Sequence, residues 1–261
     1  VDGEVLNTLR WGTAGRPDAR KTIPPDLVQP YDPFLGQRVA MVTKAEFRTS
    51  GFSAAHLRGS EMTGYRTVSA LVHETVRLVT EGAPLVYGYY DGVDKVSHEY
   101  GLGSEFDFEV GFADSLVAGL LRQLPSGIRV VITADHGQVD CGNDLIPIDD
   151  DVLTHVEMLS GEGRFRWLHA TDGQEHDLLA AAADRHGHHA WVRSCDQIIE
   201  DGWFGRSVRP EVRDRLGDVA LVPFEPIAFD DPADSGPFSL IGRHGSLTSA
   251  EMLVPLLSIT T

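Results

Sequence analysis

The alternation of helical repeats with short apolar runs in the middle of the chain constrains its fold more than any other feature. From Thr67 onward, Val68, Leu71, Val72, Thr75, Val76 and Val79 recur at the spacing that lines one face of a helix, and Gly82 and Pro84 end the pattern. The next run, PLVYGYYD, is apolar and aromatic without alternation, as expected of a strand buried on both faces. A loop with Asp94 and His98 follows it. A second helical stripe then runs through Ala113, Leu116, Val117, Leu120, Leu121 and Leu124, with Ser104 and Asp107 spaced as a capping box ahead of it. IRVVITADHG closes the series as another strand, ending in Asp135 and His136. Strand, helix, strand in this order predicts a βαβ unit and an α/β fold, a mostly parallel sheet with helices on both faces. Such sheets gather their sites at the carboxyl ends of neighbouring strands, and both Asp/His pairs fall there.

Around this centre the patterns are weaker. The opening stretch, through Pro17, Pro24, Pro25, Pro30 and Pro33, reads as irregular chain. RVAMVTKAEF begins as a strand, and GFSAAHLRGSEMTGY after it reads as loop. From Asp149 to Pro237 the rhythm breaks into strand-like RFRWLHA, helical DLLAAAADRH and strand-like DVALVPFEPIAF, a small α+β insertion. The closing IGRHGSLTSAEMLVPLLSIT is a loop with His244 and then an apolar stretch expected to rejoin the core. The domain reading is therefore a core over 1–148, an insertion or cap over 149–237, and a return to the core over 238–261.

Composition excludes some functions. With 39 acidic against 22 basic residues and a net charge of −17, the chain has no general basic face for a nucleic-acid duplex. No apolar run approaches the roughly 18 residues that a membrane-crossing helix requires, and VDGEVLNTLR lacks the build of a signal peptide. Cys141 and Cys195 are too few for a disulfide framework and too distant for a paired-thiolate metal motif, though one bridge between them is possible. A reducing, cytoplasmic setting is the preferred expectation. The sequence sets no oligomeric state.

Asp94, His98, Asp135, His136 and His244 are five oxygen and nitrogen donors from three segments, and such a set suits zinc, which accepts both imidazole and carboxylate. The motifs YYDGVDKVSHEYG, TADHG and RHGSLTSAEMLVPLL, in that order, resemble the alkaline phosphatase superfamily and within it the type I phosphodiesterase and nucleotide pyrophosphatase family. The resemblance runs from about Pro84 to the C-terminus.

It implies two divalent metal ions, with Asp94, His98 and His244 holding one and Asp135 and His136 forming part of the shell of the other. It also implies a Ser or Thr nucleophile and a further Asp on segments ahead of Val1, so no catalytic nucleophile is assigned within these residues. Thr13, Thr49 and Thr63 stand near glycines but read as turn residues. The implied reaction is metal-dependent hydrolysis of a phosphodiester or nucleotide pyrophosphate through a covalent phospho-enzyme, on a small phosphate ester such as a nucleotide. The chain alone is then expected to bind metal, hydrolyse little and expose apolar edge surface on a sheet that lacks strands. Alternatives are a phosphomonoesterase or phosphomutase of the same superfamily, or a non-catalytic metal-binding scaffold.

Other candidates read as structural. Asp91 is a turn or supporting group, and His186, His188 and His189 form a solvated loop. His56, His73, His155, His169 and His176 have no fixed-offset partner, and Tyr89, Tyr90, Trp167 and Trp203 serve packing.

Overall fold

Strand β1 (Ala40–Lys44) is the most buried strand of a three-stranded parallel sheet, flanked by β2 (Glu61–Tyr65) and β3 (Val86–Gly88), with Val42 opposite Thr63 on one side and Gly88 on the other. These strands come from a computed structural model that describes residues 3–234 and 240–261. The expected helix runs over Val68–Thr80 and connects β2 to β3 in a parallel crossover one step earlier in the chain than the predicted βαβ unit, whose two strands do not pair with each other. Its apolar face meets the sheet through Leu71, which packs with Val42 and Tyr65, with Leu78, Val86 and Leu116 around them. β3 is an edge strand of this sheet, so Tyr87 and the preceding Leu85 remain about half exposed instead of buried on both faces.

GFSAAHLRGSEMTGY is ordered structure rather than loop. Helix Gly51–His56 is capped by Ser50, whose hydroxyl accepts the Ser53 N–H, and β2 follows it. Gly51 is required by a close approach, because a Cβ there would lie 2.2 Å from the Trp11 side chain. Trp11 is buried and donates its indole N–H to the Ile23 carbonyl at 2.7 Å, which ties down the proline-rich opening. Thr63 lies inside β2 and is therefore a strand residue, not a turn residue.

These elements belong to the first of two compact units, Val1–Gly92 with Val110–Val130 and Ser258–Thr261. The second unit, Val93–Glu109 with Val131–Leu257, contains the whole segment expected as the insertion up to Asp234, and the expected boundary near 237 lies outside the described residues.

After β4 (Arg129–Thr133), the second unit continues with the short strands β5 (Val139–Asp140) and β6 (Leu145–Ile146). Then comes a four-stranded antiparallel sheet of β7 (Val156–Glu162), β8 (Phe165–Ala170), β9 (Ala190–Ser194) and β10 (Val219–Pro223), ordered β7-β8-β10-β9. β10 shows why the sheet is covered on both faces. Val219 and Leu221 join Leu178 and Ala182 of helix Glu175–His186, while Ala220 and Val222 join Ile198 of helix Cys195–Glu200, following the two-residue period of a strand. The shorter helix is fixed by a capping box between Ser194 and Gln197. His186 is not in a solvated loop: it ends the longer helix, is buried, and accepts the Asp149 N–H at Nε2.

Two strand pairs complete the unit: β11 (Ala228–Phe229) runs parallel to β6, and β12 (Gly242–Arg243) runs antiparallel to β5.

Three further sequence expectations change. Helix Ser104–Leu121 begins at Ser104 itself, whose hydroxyl donates to Glu105, so the Ser104/Asp107 box is not the cap. None of its residues is fully buried. β4 is hydrogen-bonded to the terminal strand β13 (Leu256–Thr260) rather than to β3, and β13 is paired yet exposed along its length. Cys141 and Cys195 are both free and buried. Among the described residues no helix is long and apolar enough to cross a membrane.

Candidate metal centre

Asp94 and His98 lie on helix Gly92–Tyr100, not in a loop, and their four-residue spacing puts both on one face. Asp94 Oδ1 is 3.1 Å from His98 Nε2, 3.9 Å from His136 Nε2 and 4.0 Å from His244 Nε2. One carboxylate oxygen thus faces three imidazoles drawn from all three sequence motifs. Donor atoms of Asp94, His98 and His244 all lie within 4.8 Å of one another. The His136 and His244 rings stack at 3.4 Å between centroids. Asp135 stands further out, its side chain 74% exposed and 3.7 Å from His136 Nε2.

The backbone explains this convergence. β5 follows the Asp135–His136 loop and β12 precedes His244, so pairing of Gly242 with Asp140 and of Arg243 with Val139 fixes two ligand segments together. The third is joined by the Ile241 N–H donating to the His98 carbonyl at 2.8 Å. Gly242 permits the approach, since a Cβ there would stand 2.2 Å from Ser97 Oγ.

Protonation follows from the same contacts. His98 Nδ1 lies 2.7 Å from the Gly242 carbonyl, which can only accept, so Nδ1 carries a proton. Nε2 then faces the acceptor-only carboxylate of Asp94, and that arrangement needs either a second proton or a cation between them. The hydrogen bond to Asp94 raises the His98 pKa against the opposing effect of burial. Burial pushes Asp94 upward, but the His98 hydrogen bond and the charges of His98, His244 and His136 outweigh it and hold Asp94 below its ordinary value. His244 is pushed down to about 4, first by burial and then by His136, which leaves its ring neutral and its lone pair available at neutral pH. A mixed imidazole and carboxylate donor set of this kind fits a divalent cation of the zinc class.

Sequence reading missed the groups that orient these donors. Gln138 donates from Nε2 to Asp94 Oδ1 at 2.7 Å, and its Oε1 accepts from the buried Ser97 hydroxyl. The available signal was position alone, Gln138 two residues after His136 and Ser97 between Asp94 and His98. Asp91 is buried and 2.8 Å from Lys44 Nζ. Thr13 donates to Glu4 from a tight turn, and Thr49 ends a short 3-10 segment.

Comparison with known proteins gives the family and the fold. The model of the type I phosphodiesterase / nucleotide pyrophosphatase family matches residues 7–247. Murine ectonucleotide pyrophosphatase / phosphodiesterase 5 superposes with a TM-score of 0.60 at 18% identity, over 85% of this chain and 60% of its own. The human counterpart gives 0.64 at 14%, over 98% and 70%. Phosphonoacetate hydrolase from Sinorhizobium meliloti 1021, in complex with phosphonoformate, gives 0.61 at 19%, over 85% and 65%. The chain therefore spans about three-fifths of the length of the murine protein. No curated protein matches the sequence. At these identities the structures speak for the α/β fold alone, while the match to the family model decides membership: the chain belongs to the type I phosphodiesterase / nucleotide pyrophosphatase family.

Proposed function

We propose that this chain provides the metal-binding part of a hydrolase acting on phosphodiester or nucleotide pyrophosphate bonds. The observation that carries the reading is the convergence of His98, His136 and His244 on one oxygen of Asp94 within a family match that covers most of the chain. Asp94, His98 and His244 would hold one divalent ion, zinc by donor chemistry, and His136 with Asp135 would contribute to a second. Bound there, such ions supply Lewis-acid stabilisation of the negative charge that develops on phosphoryl oxygens.

The chain's own residues orient and neutralise. The Gly242 carbonyl fixes the His98 tautomer, Gln138 holds Asp94 in place, and His98 offsets the charge of a carboxylate that is partly withdrawn from water. The nucleophilic hydroxyl is assigned to a part of the domain outside these residues. In support, Thr13 is engaged with Glu4, Thr49 closes a 3-10 turn and Thr63 sits within a strand. An inactive point variant of murine ectonucleotide pyrophosphatase / phosphodiesterase 5 is in complex with AMP, which favours a nucleotide-like small phosphate ester as substrate. The likeness to phosphonoacetate hydrolase makes a carboxylated phosphonate the second substrate to try.

The test compares initial rates, with zinc added, on bis(p-nitrophenyl) phosphate, p-nitrophenyl phosphate and phosphonoacetate. It uses the 261-residue chain and the chain extended by the coding sequence ahead of Val1, with Asp94→Ala as the blank. Diester turnover by the extended protein, lost in the variant and small in the 261-residue chain, is the expected result. Monoester preference would move the protein to a phosphatase of the same superfamily, phosphonate cleavage to the second substrate class, and metal-independent inactivity on all three to a scaffold.

A further inference from the structure

Arg164 and Glu251 form an ion pair in which both side chains are withdrawn from water, at 0% and 1% exposure, although 87 residues separate them in sequence. Arg164 occupies the turn between β7 and β8 and Glu251 lies on the short helix Ser249–Met252. All five guanidinium N–H groups have acceptors. Nε and Nη2 reach the two Glu251 oxygens at 3.0 and 2.6 Å, Nη1 reaches the Glu225 and Ile227 carbonyls at 2.5 and 2.6 Å, and Nη2 reaches the Pro223 carbonyl at 3.3 Å. Glu251 accepts two further bonds, from the Ser246 N–H at 3.0 Å and the Thr248 hydroxyl at 2.5 Å.

Two of these contacts lead to the metal-centre loops. Ser246 is two residues past His244, across Gly245, which has a positive φ of 128° and whose Cβ position lies 3.5 Å from Arg164. On the other side, the Glu251 carbonyl accepts the N–H of Gly137, the residue after His136, at 2.7 Å. Gly137 sits so close to this helix that a Cβ would lie 2.0 Å from the Ala250 carbonyl oxygen. One short helical turn therefore holds the His244 loop by its side chain and the His136 loop by its backbone, and Arg164 fixes that turn against β10 and the chain that follows it.

We propose that Arg164 and Glu251 are positioning residues for the metal centre: the buried pair sets the placement of His244 and His136, and so the affinity and geometry with which a cation is held. The inference rests on the metal-centre reading above. A buried ion pair is weak evidence for stability in its own right, since apolar residues of the same volume often serve equally well there. A positioning role gives the charge and the forked geometry a reason, because neither side chain touches the donors and both reach them through backbone.

The test measures zinc affinity by competition with a chromophoric chelator, the visible absorption band of the cobalt-substituted chain, and thermal unfolding of the metal-free chain. The variants are Glu251→Gln, which keeps shape and removes charge, and the milder Thr248→Val, which folds even if the first does not. Leu178→Ala in the insertion core is the control for general destabilisation. Glu251→Gln is expected to weaken zinc by about tenfold or more and to alter the cobalt band. Thr248→Val should cost about threefold, while Leu178→Ala lowers the unfolding temperature yet leaves affinity and band as in the parent. Unchanged zinc affinity in both Glu251→Gln and Thr248→Val, or an equal loss in Leu178→Ala, would overturn the inference while leaving the metal centre standing. Failure of the parent chain to bind zinc would overturn the metal-centre reading and this inference with it.

Discussion

Asp94 Oδ1 lies 3.1 Å from His98 Nε2, one helical turn along the same helix, while the other nitrogen of His98 is held by the Gly242 carbonyl. The carboxylate cannot donate, so without a cation the pair is stable only when the imidazole carries both protons, and a bound cation has to displace one of them.

This relationship ranks the five donors. Asp94→Ala or His98→Ala removes one of the candidate ligands gathered within 4.8 Å and is expected to weaken zinc by about a hundredfold or more, whereas Asp135→Ala at the exposed rim should weaken the first equivalent by no more than about threefold. Isothermal titration of zinc into each chain reads the difference. Equal losses for Asp94→Ala and Asp135→Ala would assign the tighter site to the wrong residues.

Gln138 gives a second prediction. Its amide donates to Asp94 Oδ1 and accepts from Ser97, so Gln138→Leu leaves the carboxylate free to rotate and the Ser97 hydroxyl buried without its acceptor. Zinc affinity should fall about tenfold with the fold intact by circular dichroism. An affinity equal to the parent would show that the helix alone orients Asp94.

Sequence patterns made helix Val68–Thr80 and strand β1 legible because both depend on local order, and they singled out five candidate donors, of which Asp94, His98, His136 and His244 lie together. The repeat from Val68 to Val79 and the apolar run of β1 each carry their own period, and each donor pair sits beside a run that ends abruptly. Other features were hidden for physical reasons. The stretch from Gly92 to Tyr100 carries Val93, Val96 and Tyr100 at i, i+3 and i+7, a stripe within only nine residues that ends at Gly101 and reads as loop, so its helix and the shared face of Asp94 and His98 were missed. β2 contains Gly64, where a Cβ would lie 2.8 Å from the Ala45 Cα, and a glycine in a five-residue strand erases its signature. The Arg164–Glu251 pair joins residues 87 apart, a separation at which no periodicity operates.

A third prediction concerns pH. His186 is held below its ordinary 6.5, mainly by burial, with His188 and His189 adding and Asp149 opposing. The unfolded chain therefore takes up this proton before the folded chain does. Its effect on stability is absent above about pH 6.5 and grows as pH falls from there toward the lowered folded value, so the second unit loses stability over that interval. Urea unfolding at a series of pH values from neutral downward should show this slope. His186→Gln, which keeps an acceptor for the Asp149 N–H, should flatten it. An unchanged slope would place the titration elsewhere, His169 being the next candidate because burial lowers it too.

The last prediction comes from β13. Leu256, Leu257 and Ile259 are 75%, 53% and 38% exposed, and because strand side chains alternate, both faces of the strand show apolar surface to water. Among the described residues β13 and β4 make a two-stranded sheet, which leaves each strand an open edge as well. Apolar faces and open edges together favour strand addition between molecules. The 261-residue chain is therefore expected to self-associate at concentrations on the order of 50 µM despite its net charge of −17, and Leu256→Lys with Leu257→Glu should reduce this without altering zinc affinity. Light scattering coupled to gel filtration decides the matter. A monodisperse monomer in the parent chain would mean that the exposed strand is tolerated, with the acidic surface sufficient to keep molecules apart.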